Sequence, residues 1–503
     1  MARTSQTHPL EIAELKLFDG AGRIGITFCP GKKDDTSRTG PWDRDLDADL
    51  DVIRDWNAAA VVTLMEPHEL RQLQVLGLGE GVRARHMDWL HLPIPDVSVP
   101  GPRFEAAWRT AGYGLRRRLC KGFNVLVHCR GGLGRAGMIA ARLHTEINAD
   151  AHFAIRAVRA VRPGAIETLA QEHHVCSVMP IFPRMDHSGE AIEDRAIGAL
   201  LGLAVGDAIG TTLEFEPRND HAPRLTDMVG GGPFRLKAGE WTDDTAMALA
   251  LADSLLAARF DPRDLMERFW RWRRQGEYSC TGRCFDIGNT VSASLQRYVA
   301  NSDPIAGVDD PRTAGNGSLM RLAPVAIRHW SQPEERRRIA ALQSQTTHGA
   351  QEAVNACVFF ADVLAETIQG KDMRSTHRRV ANTYPGQIGE IAAGRWRGRP
   401  RAQIRGSGYV VHSLEAALWC VGRTSSFKDA VLLAANLRED ADTTAAITGQ
   451  LAGALYGASG IPPEWLAKLA WRERIEQTAR KLFRLGHTRD DEPSASSAIG
   501  LFT

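Results

Sequence analysis

The stretch NVLVHCRGGLGRAG, residues 124–137, joins a short apolar run to a glycine-rich turn. NVLV reads as a buried strand, and GMIAARLHTEI (137–147) as a helix that starts just after the glycines. A strand feeding a helix through such a loop is one unit of a parallel or mixed sheet covered by helices. The same alternation runs from AAAVVTLM (58–65) to AHFAIRAVRAVR (151–162), so an α/β region is expected up to about residue 182. The segment Cys129 to Arg135 then lies where backbone N–H groups and a helix N-terminus converge, which suits an anion. A thiol in that place is stabilised as thiolate and becomes a nucleophile. Arg135 offers a planar fork to a tetrahedral oxyanion, and His128 helps hold the loop and the thiolate. Arg130, Gly131, Gly132, Leu133 and Gly134 would enclose the anion. The combination suits transfer of a phosphoryl group to sulfur, followed by hydrolysis.

The chain has 503 residues, too many for one ordinary core, so two or more domains are expected. Hydrophobic residues make up 43% and charged residues 24%, the balance of a globular protein. Lys and Arg total 62 against 60 Asp and Glu, which gives no electrostatic case for nucleic acid or a membrane surface as partner. The arginines at 374, 378, 379, 395, 397, 399, 401 and 405 form one local exception, read either as a solvated basic loop or as an anion-binding rim. The eight cysteines are scattered, the N-terminus has no apolar signal core, and no apolar run approaches the roughly 20 residues of a membrane span. A reducing cytoplasmic setting with free thiols is the resulting expectation. CTGRC (280–284), lacking a second pair, reads as packing or loop thiols rather than a metal pair.

The HCxxGxxR pattern of 128–135 resembles the loop of the Cys-based protein phosphatases. With GGLGR inside it, the likeness is to the dual-specificity group and, within it, to the cyclin-dependent-kinase-associated phosphatase, over roughly residues 10–182. That resemblance implies a Cys-phosphatase fold with a central, mostly parallel sheet. It also implies a general acid on HLPIPDVSVPG (91–101), which makes Asp96 the candidate, and a water-positioning residue in RPGAIETLAQEHHV (162–175), where Gln171 is the carrier. In the family a Ser or Thr usually follows the arginine and donates to the leaving sulfur. Ala136 cannot, which implies a phosphocysteine that forms normally and hydrolyses slowly.

From Ile192 onward the apolar spacing is helical almost throughout, as in DRAIGALLGLAVGDAIG (194–210) and DTTAAITGQLAGALYGA (442–458). Residues 183–191 read as a linker and 487–503 as a disordered tail, leaving 1–182 and 192–486 as the domains. GEWTDDTAMALAL (239–251) sets Thr242, Asp243 and Asp244 before one helix, and NLREDADTTAAITGQ (436–450) sets Asp440, Asp442 and Thr443 before another. Clustered oxygen ligands on two segments are what Mg²⁺ or Mn²⁺ requires. VGGGPF (229–234) and AGNGSLMR (314–321) are glycine loops able to bring N–H groups near phosphates.

Together with LGLAVGDAIGTTLEFEPR (201–218), TTHGAQEA (346–353) and SGYVVHSLEAALW (407–419), these segments resemble the ADP-ribosylglycohydrolase family over about 192–485. The resemblance implies an all-α fold holding two Mg²⁺ (Mn²⁺ in some members), with Thr242, Asp243, Asp244, Asp440, Asp442 and Thr443 as ligands. It makes Asp244 or Glu214 the base, and Gly231, Gly232, Gly317, Ser318 and His348 the ADP-ribose contacts. His348 and His412 are each open to a structural reading, and SGYVVHSLEAALW reads as core packing. A bifunctional hydrolase follows, acting on an ADP-ribosylated protein or small molecule and on a phosphorylated substrate. The competing reading keeps only the helical domain as an enzyme, with the first as a phosphate-binding recruitment module.

Overall fold

The computed structural model describes residues 2–37, 40–181, 186–220, 222–257, 259–371 and 383–487. Its N-terminal part is built on a mixed five-stranded sheet. The strands, in chain order, are β1 (Ala13–Leu15), β2 (Ile24–Phe28), β3 (Lys33–Asp34), β4 (Trp42–Asp43), β5 (Ala58–Thr63), β6 (Asp88–His91) and β7 (Asn124–Cys129). The main sheet has the order β1-β2-β7-β5-β6, with β3 and β4 paired apart from it. Only β1 is antiparallel to its neighbour; β2, β7, β5 and β6 run parallel.

β7 is the central strand, and its side chains alternate between two cores as a period of two demands. Val125 and Val127 join Trp108, Leu115 and Ile139 beneath the helices Pro102–Cys120 and Gly134–Ile147. Leu126 turns the other way, to Leu50, Ile53 and Val82 from the helices Leu46–Asp55 and Leu78–Ala84.

The second part is helical. Its axis is the pair Gly189–Gly210 and Ala441–Tyr456. Glycines 198, 202, 206 and 210 recur every four residues and meet Gly453, Gly449, Ala445 and Ala441 in turn. A Cβ on Gly202 would stand 2.2 Å from the carbonyl oxygen of Gly449, so only glycine lets these backbones touch. This close approach brings Asp207 on one helix within reach of Asp442 on the other.

The helix begins at Gly189, capped by the Ser188 hydroxyl, three residues ahead of the expected boundary at 192. Residue 182 of the expected first domain, 183–185 of the expected linker and 488–503 of the expected tail lie outside the described residues. One helix, Gly189–Leu213, is long and apolar enough to cross a bilayer by length and hydropathy, although Asp194, Arg195 and Asp207 interrupt its apolar run. Burial of 89% of its apolar window within the protein accounts for that composition.

The two parts share a core. Phe123, just before β7, lies 6.4 Å from both Trp396 and Trp419. Arg423 donates to the Ala58 carbonyl at 2.7 Å, Arg118 to the Arg423 carbonyl at 2.7 Å, and Asn57 to the Gly398 carbonyl at 2.8 Å. The amino-terminal ends of β5 and β7 thus dock on the carboxyl end of the helix Val410–Arg423. The basic stretch serves this frame. Arg395 and Arg399 pair with Glu415, and Arg401 with Asp220, so these three are part-exposed and tied into ion pairs, while Arg405 is exposed as a solvated loop expects. Arg374, Arg378 and Arg379 lie outside the described residues.

Candidate functional site

Cys129 is the last residue of β7, at the end of the strand remote from the domain contact. The Gly132 N–H donates to its Sγ at 3.3 Å, the only donor to that sulfur among the described residues. Gly132 sits at φ +70, and a Cβ there would lie 2.5 Å from the Thr27 backbone, so the loop wraps against β2 only because this residue is glycine. Arg162 holds the loop from outside, donating to the Gly132 and Gly131 carbonyls at 3.1 and 3.3 Å. Leu133 and Gly134 open the helix that carries Arg135 and the buried Ala136. Arg130 is tied back to Asp34 at 3.0 Å.

The Arg135 guanidinium is buried, and both of its terminal nitrogens are engaged. It meets both carboxylate oxygens of Glu69, the Ile94 carbonyl at 3.0 Å and Asp96 Oδ1 at 2.8 Å. Asp96 is well exposed and paired to the arginine. His128 is buried with its Nε2 2.7 Å from the Thr63 hydroxyl. Burial drives this imidazole down to about 3, so the ring is neutral and contributes orientation, not positive charge. Gln171 is fully buried beside Gly134; its Oε1 accepts from the Glu167 N–H, while its Nε2 has no partner among the described residues.

Glu69 and Thr63 were not singled out from the sequence. Glu69 is 66 residues from Arg135 and shows only a capping-box signal with Glu66, which says nothing of a distant arginine.

In the helical part, Thr242 precedes the helix Asp243–Leu255, and Asp440 precedes Ala441–Tyr456. Two carboxylate triads form where these helix starts meet: Asp207, Asp244 and Asp442, and Glu214, Asp440 and Asp442. Within each triad the oxygens lie within 4.8 Å of one another, and Asp442 belongs to both. The Thr242 hydroxyl stands 2.9 Å from Asp207, 3.3 Å from Asp244 and 3.2 Å from Asp442. The Thr443 hydroxyl is 3.3 Å from Asp244.

Burial and the Asp442 charge push the carboxyls of Asp207 and Asp440 up to about 7 and that of Glu214 up to about 12. Asp243 and Asp244 are raised by burial and then by Asp442. Asp244 Oδ1 is buried with no hydrogen-bond partner among the described residues. Packed carboxylates and hydroxyls, with an orphaned oxygen among them, fit hard divalent cations, whose charge would relieve this repulsion.

Asp207 and Asp286 were missed from the sequence. Asp207 reads as one polar residue in an apolar helix, yet it accepts from the N–H and hydroxyl of both Thr242 and Thr245. Asp286 is raised to about 11 by burial, then by Asp243 and Asp442, which places it at the same cluster.

The expected ADP-ribose contacts divide. The loop of Gly231 and Gly232 follows Thr211–Leu213 and is closed by hydrogen bonds between Gly231 and Leu236. A Cβ on Gly317 would lie 2.8 Å from the His348 ring, so loop and histidine are in contact. Burial, then Arg321, lowers this imidazole to about 3. The Ser318 hydroxyl turns inward to Ser344 at 2.9 Å, and its carbonyl accepts from the buried Gln343 amide at 3.1 Å. His412 is held by the Ser407 hydroxyl at 2.8 Å. The helix Val410–Arg423 is buried over most of its length, as core packing requires. Cys280 and Cys284 are free thiols pushed up to about 12 and 11 by burial, and Cys280 exchanges hydrogen bonds with the Trp241 backbone.

Comparison with known proteins finds relatives for both parts of the chain. Residues 39–146 match the family described as "Polymorphic toxin system, DSP-PTPase phosphatase". An ADP-ribosylarginine hydrolase Tri1 of Pseudomonas putida (strain GB-1) is 50% identical over 298 residues, covering 58% of this chain and 78% of that protein. The ADP-ribosyl-[dinitrogen reductase] glycohydrolase of Rhodospirillum rubrum is 35% identical, covering 58% of this chain and 96% of that protein. A solved structure described as "ADP-ribosylglycohydrolase-related protein complex" superposes with a TM-score of 0.53 at 39% identity, over 59% of this chain and 100% of that one. With residues 188–492 matching the family profile, the chain is a hydrolase that belongs to the ADP-ribosylglycohydrolase family and carries a dual-specificity-type phosphatase domain ahead of it.

Proposed function

We propose that the helical domain, 192–486 extended back to the helix start at Gly189, removes ADP-ribose from modified arginine, and that residues 1–182 hydrolyse a phosphoester. Two carboxylate triads sharing Asp442 carry the first reading, supported by the similarity to ADP-ribosylarginine hydrolases. Thr242, Asp243, Asp244, Asp440, Asp442 and Thr443 would hold two Mg²⁺ or Mn²⁺, with Asp207 fixing Thr242. When bound, such cations polarise water and hold ribose hydroxyls. Asp244 or Glu214 takes the proton as water oxygen bonds to the anomeric carbon. The C–N bond breaks with its electron pair passing to the guanidine nitrogen, which is reprotonated. Glu214 Oε2 accepts from the Ala441 and Asp442 N–H groups at 2.7 and 3.1 Å, which holds this carboxyl beside the cluster and supports that role.

In the first domain Cys129 Sγ attacks phosphorus, the P–O bond to the leaving group breaks, and Asp96 protonates the departing oxygen. Water oriented by Gln171 then frees the sulfur. Arg135 and the backbone N–H groups of the 130–134 loop hold the equatorial oxygens throughout. One observation favours the recruitment-module alternative: Ala136 gives the sulfur no donor, leaving Gly132 alone in that role. The eight free thiols suit a reducing cytoplasmic setting.

The test is release of ADP-ribose from arginine- and serine-linked substrates, with Mg²⁺, with chelator, and in Asp243→Ala and Cys129→Ser. Arginine-selective, metal-dependent release lost only in Asp243→Ala is expected. Aryl phosphate turnover lost only in Cys129→Ser would exclude the recruitment module.

A further inference from the structure

Glu214 and Asp286 both adjoin Asp442, and each has a phenylalanine as its chain neighbour on the outer side of the cluster: Phe215 and Phe285. The glycine loop supplies a third ring, Phe234, between them. Its centroid is 6.2 Å from that of Phe215 and 5.2 Å from that of Phe285. One of these attachments is strained: Phe215 adopts φ +60, a backbone region that bulky residues rarely occupy. The Phe215 amide is pinned in it by the Glu439 carbonyl at 2.8 Å. Phe215 is nevertheless 66% exposed, so the strain holds a large apolar ring out toward solvent at the edge of a buried acidic cluster. Strain kept beside reactive groups, with only an edge contact to Phe234 gained, points to contact with a ligand.

We infer that Phe215, Phe234 and Phe285 form a ledge that receives the guanidinium of the acceptor arginine and so sets which linkage is cleaved. This rests on the reading of the helical domain as an arginine-linked hydrolase. A planar cation gains from an aromatic face and from the acidic residues that neighbour these rings in the chain, whereas a serine hydroxyl gains little from either. The rings touch the acceptor, not the ribose, so they act on KM for one linkage and leave the chemical step to the acidic cluster.

The experiment compares intact wild type with Phe215→Leu, which keeps apolar volume but removes the π face, and with Phe215→Trp, which restores it. Release from arginine- and serine-linked peptides is followed, with binding of agmatine, a guanidinium probe, measured by calorimetry. Phe215→Leu is expected to raise KM for the arginine linkage about three- to tenfold at unchanged kcat, to weaken agmatine equally, and to be rescued by Phe215→Trp. An unchanged KM, or an equal rise for both linkages, overturns the ledge. If wild type releases nothing from arginine linkages, the functional reading falls. Agmatine then decides the ledge alone: binding weakened in Phe215→Leu upholds it, and no binding overturns it.

Discussion

Arg135 gives one terminal nitrogen to each carboxylate oxygen of Glu69, at 2.7 and 2.8 Å, and both side chains are buried. The fork is therefore fixed in plane before any phosphate arrives, and the remaining approach is shared with Asp96. A charge-assisted bidentate pair supplies direction as well as attraction. Orientation of the phosphate-binding arginine thus depends on a residue outside the loop itself.

Removing Glu69 leaves the buried guanidinium with only the exposed Asp96 as counter-ion, which costs up to about 3–5 kcal/mol. Glu69→Ala is expected to lower stability by that order in chemical denaturation and to reduce aryl phosphate kcat/KM together with it. Loss of activity at unchanged stability would place Glu69 in the chemistry instead.

Acid should show the same pair. Burial alone would raise the Glu69 carboxyl, but hydrogen bonds from Arg135 and the Glu66 amide outweigh it and hold the group below its usual range. The folded pKa is depressed, so its contribution is complete above the unfolded value, about 4.3, and is lost as pH falls through the folded one. Wild type should lose stability below about pH 4 more steeply than Glu69→Gln. Parallel curves would refute the assignment.

Ala136→Ser is expected to raise steady-state phosphatase turnover and shrink any pre-steady-state burst, since Gly132 alone donates to Cys129 Sγ. A single well-placed donor to a developing charge is worth about 3 kcal/mol at most, so a gain on the order of ten- to a hundredfold is the range to look for. Unchanged kinetics would mean that phosphocysteine hydrolysis is not slow.

Much of this was legible locally. Strand, glycines and helix around Cys129 follow one another in sequence, and their order alone gave the parallel unit and the anion loop. The Thr-Asp-Asp and Asp-x-Asp-Thr starts stood out for the same reason. What the sequence hid depends on distance along the chain. Glu69 meets Arg135 across 66 residues, and Asp207 meets Asp442 only because four glycines let two helices touch. Asp207 looked like an interruption of an apolar helix, and the arginines near 400 looked solvated, until Glu415 and Asp220 were found folded against them.

The acidic cluster should respond to metal without any substrate. Carboxylates crowded around Asp442 repel one another, and a cation that binds only the folded state stabilises it by about 2.7 kcal/mol at a hundredfold excess over its Kd. Mg²⁺ or Mn²⁺ should raise Tm, and chelator should reverse the change. Asp442→Asn, which removes the charge common to both triads, should raise the metal-free Tm and abolish the metal response. A metal response that survives this substitution would locate the cation elsewhere.

The shared core around Phe123 makes a prediction about the whole chain. This ring is fully buried between Trp396 and Trp419 at the seam, while Cys129 lies at the far end of β7 and Asp440 beside Gly408, just before the helix whose other end docks at the seam. Deleting a buried phenylalanine costs about 3–5 kcal/mol. Because the cavity would open at a contact common to both parts, Phe123→Ala should lower one cooperative transition, read identically by loss of phosphatase and glycohydrolase activity on heating. Each site lies one element's length from the seam, about 20 Å by the rise of a strand or a helix, so catalysis below the transition should be unaffected. Two separated transitions, with only one activity lost in the first, would show that the parts are merely tethered.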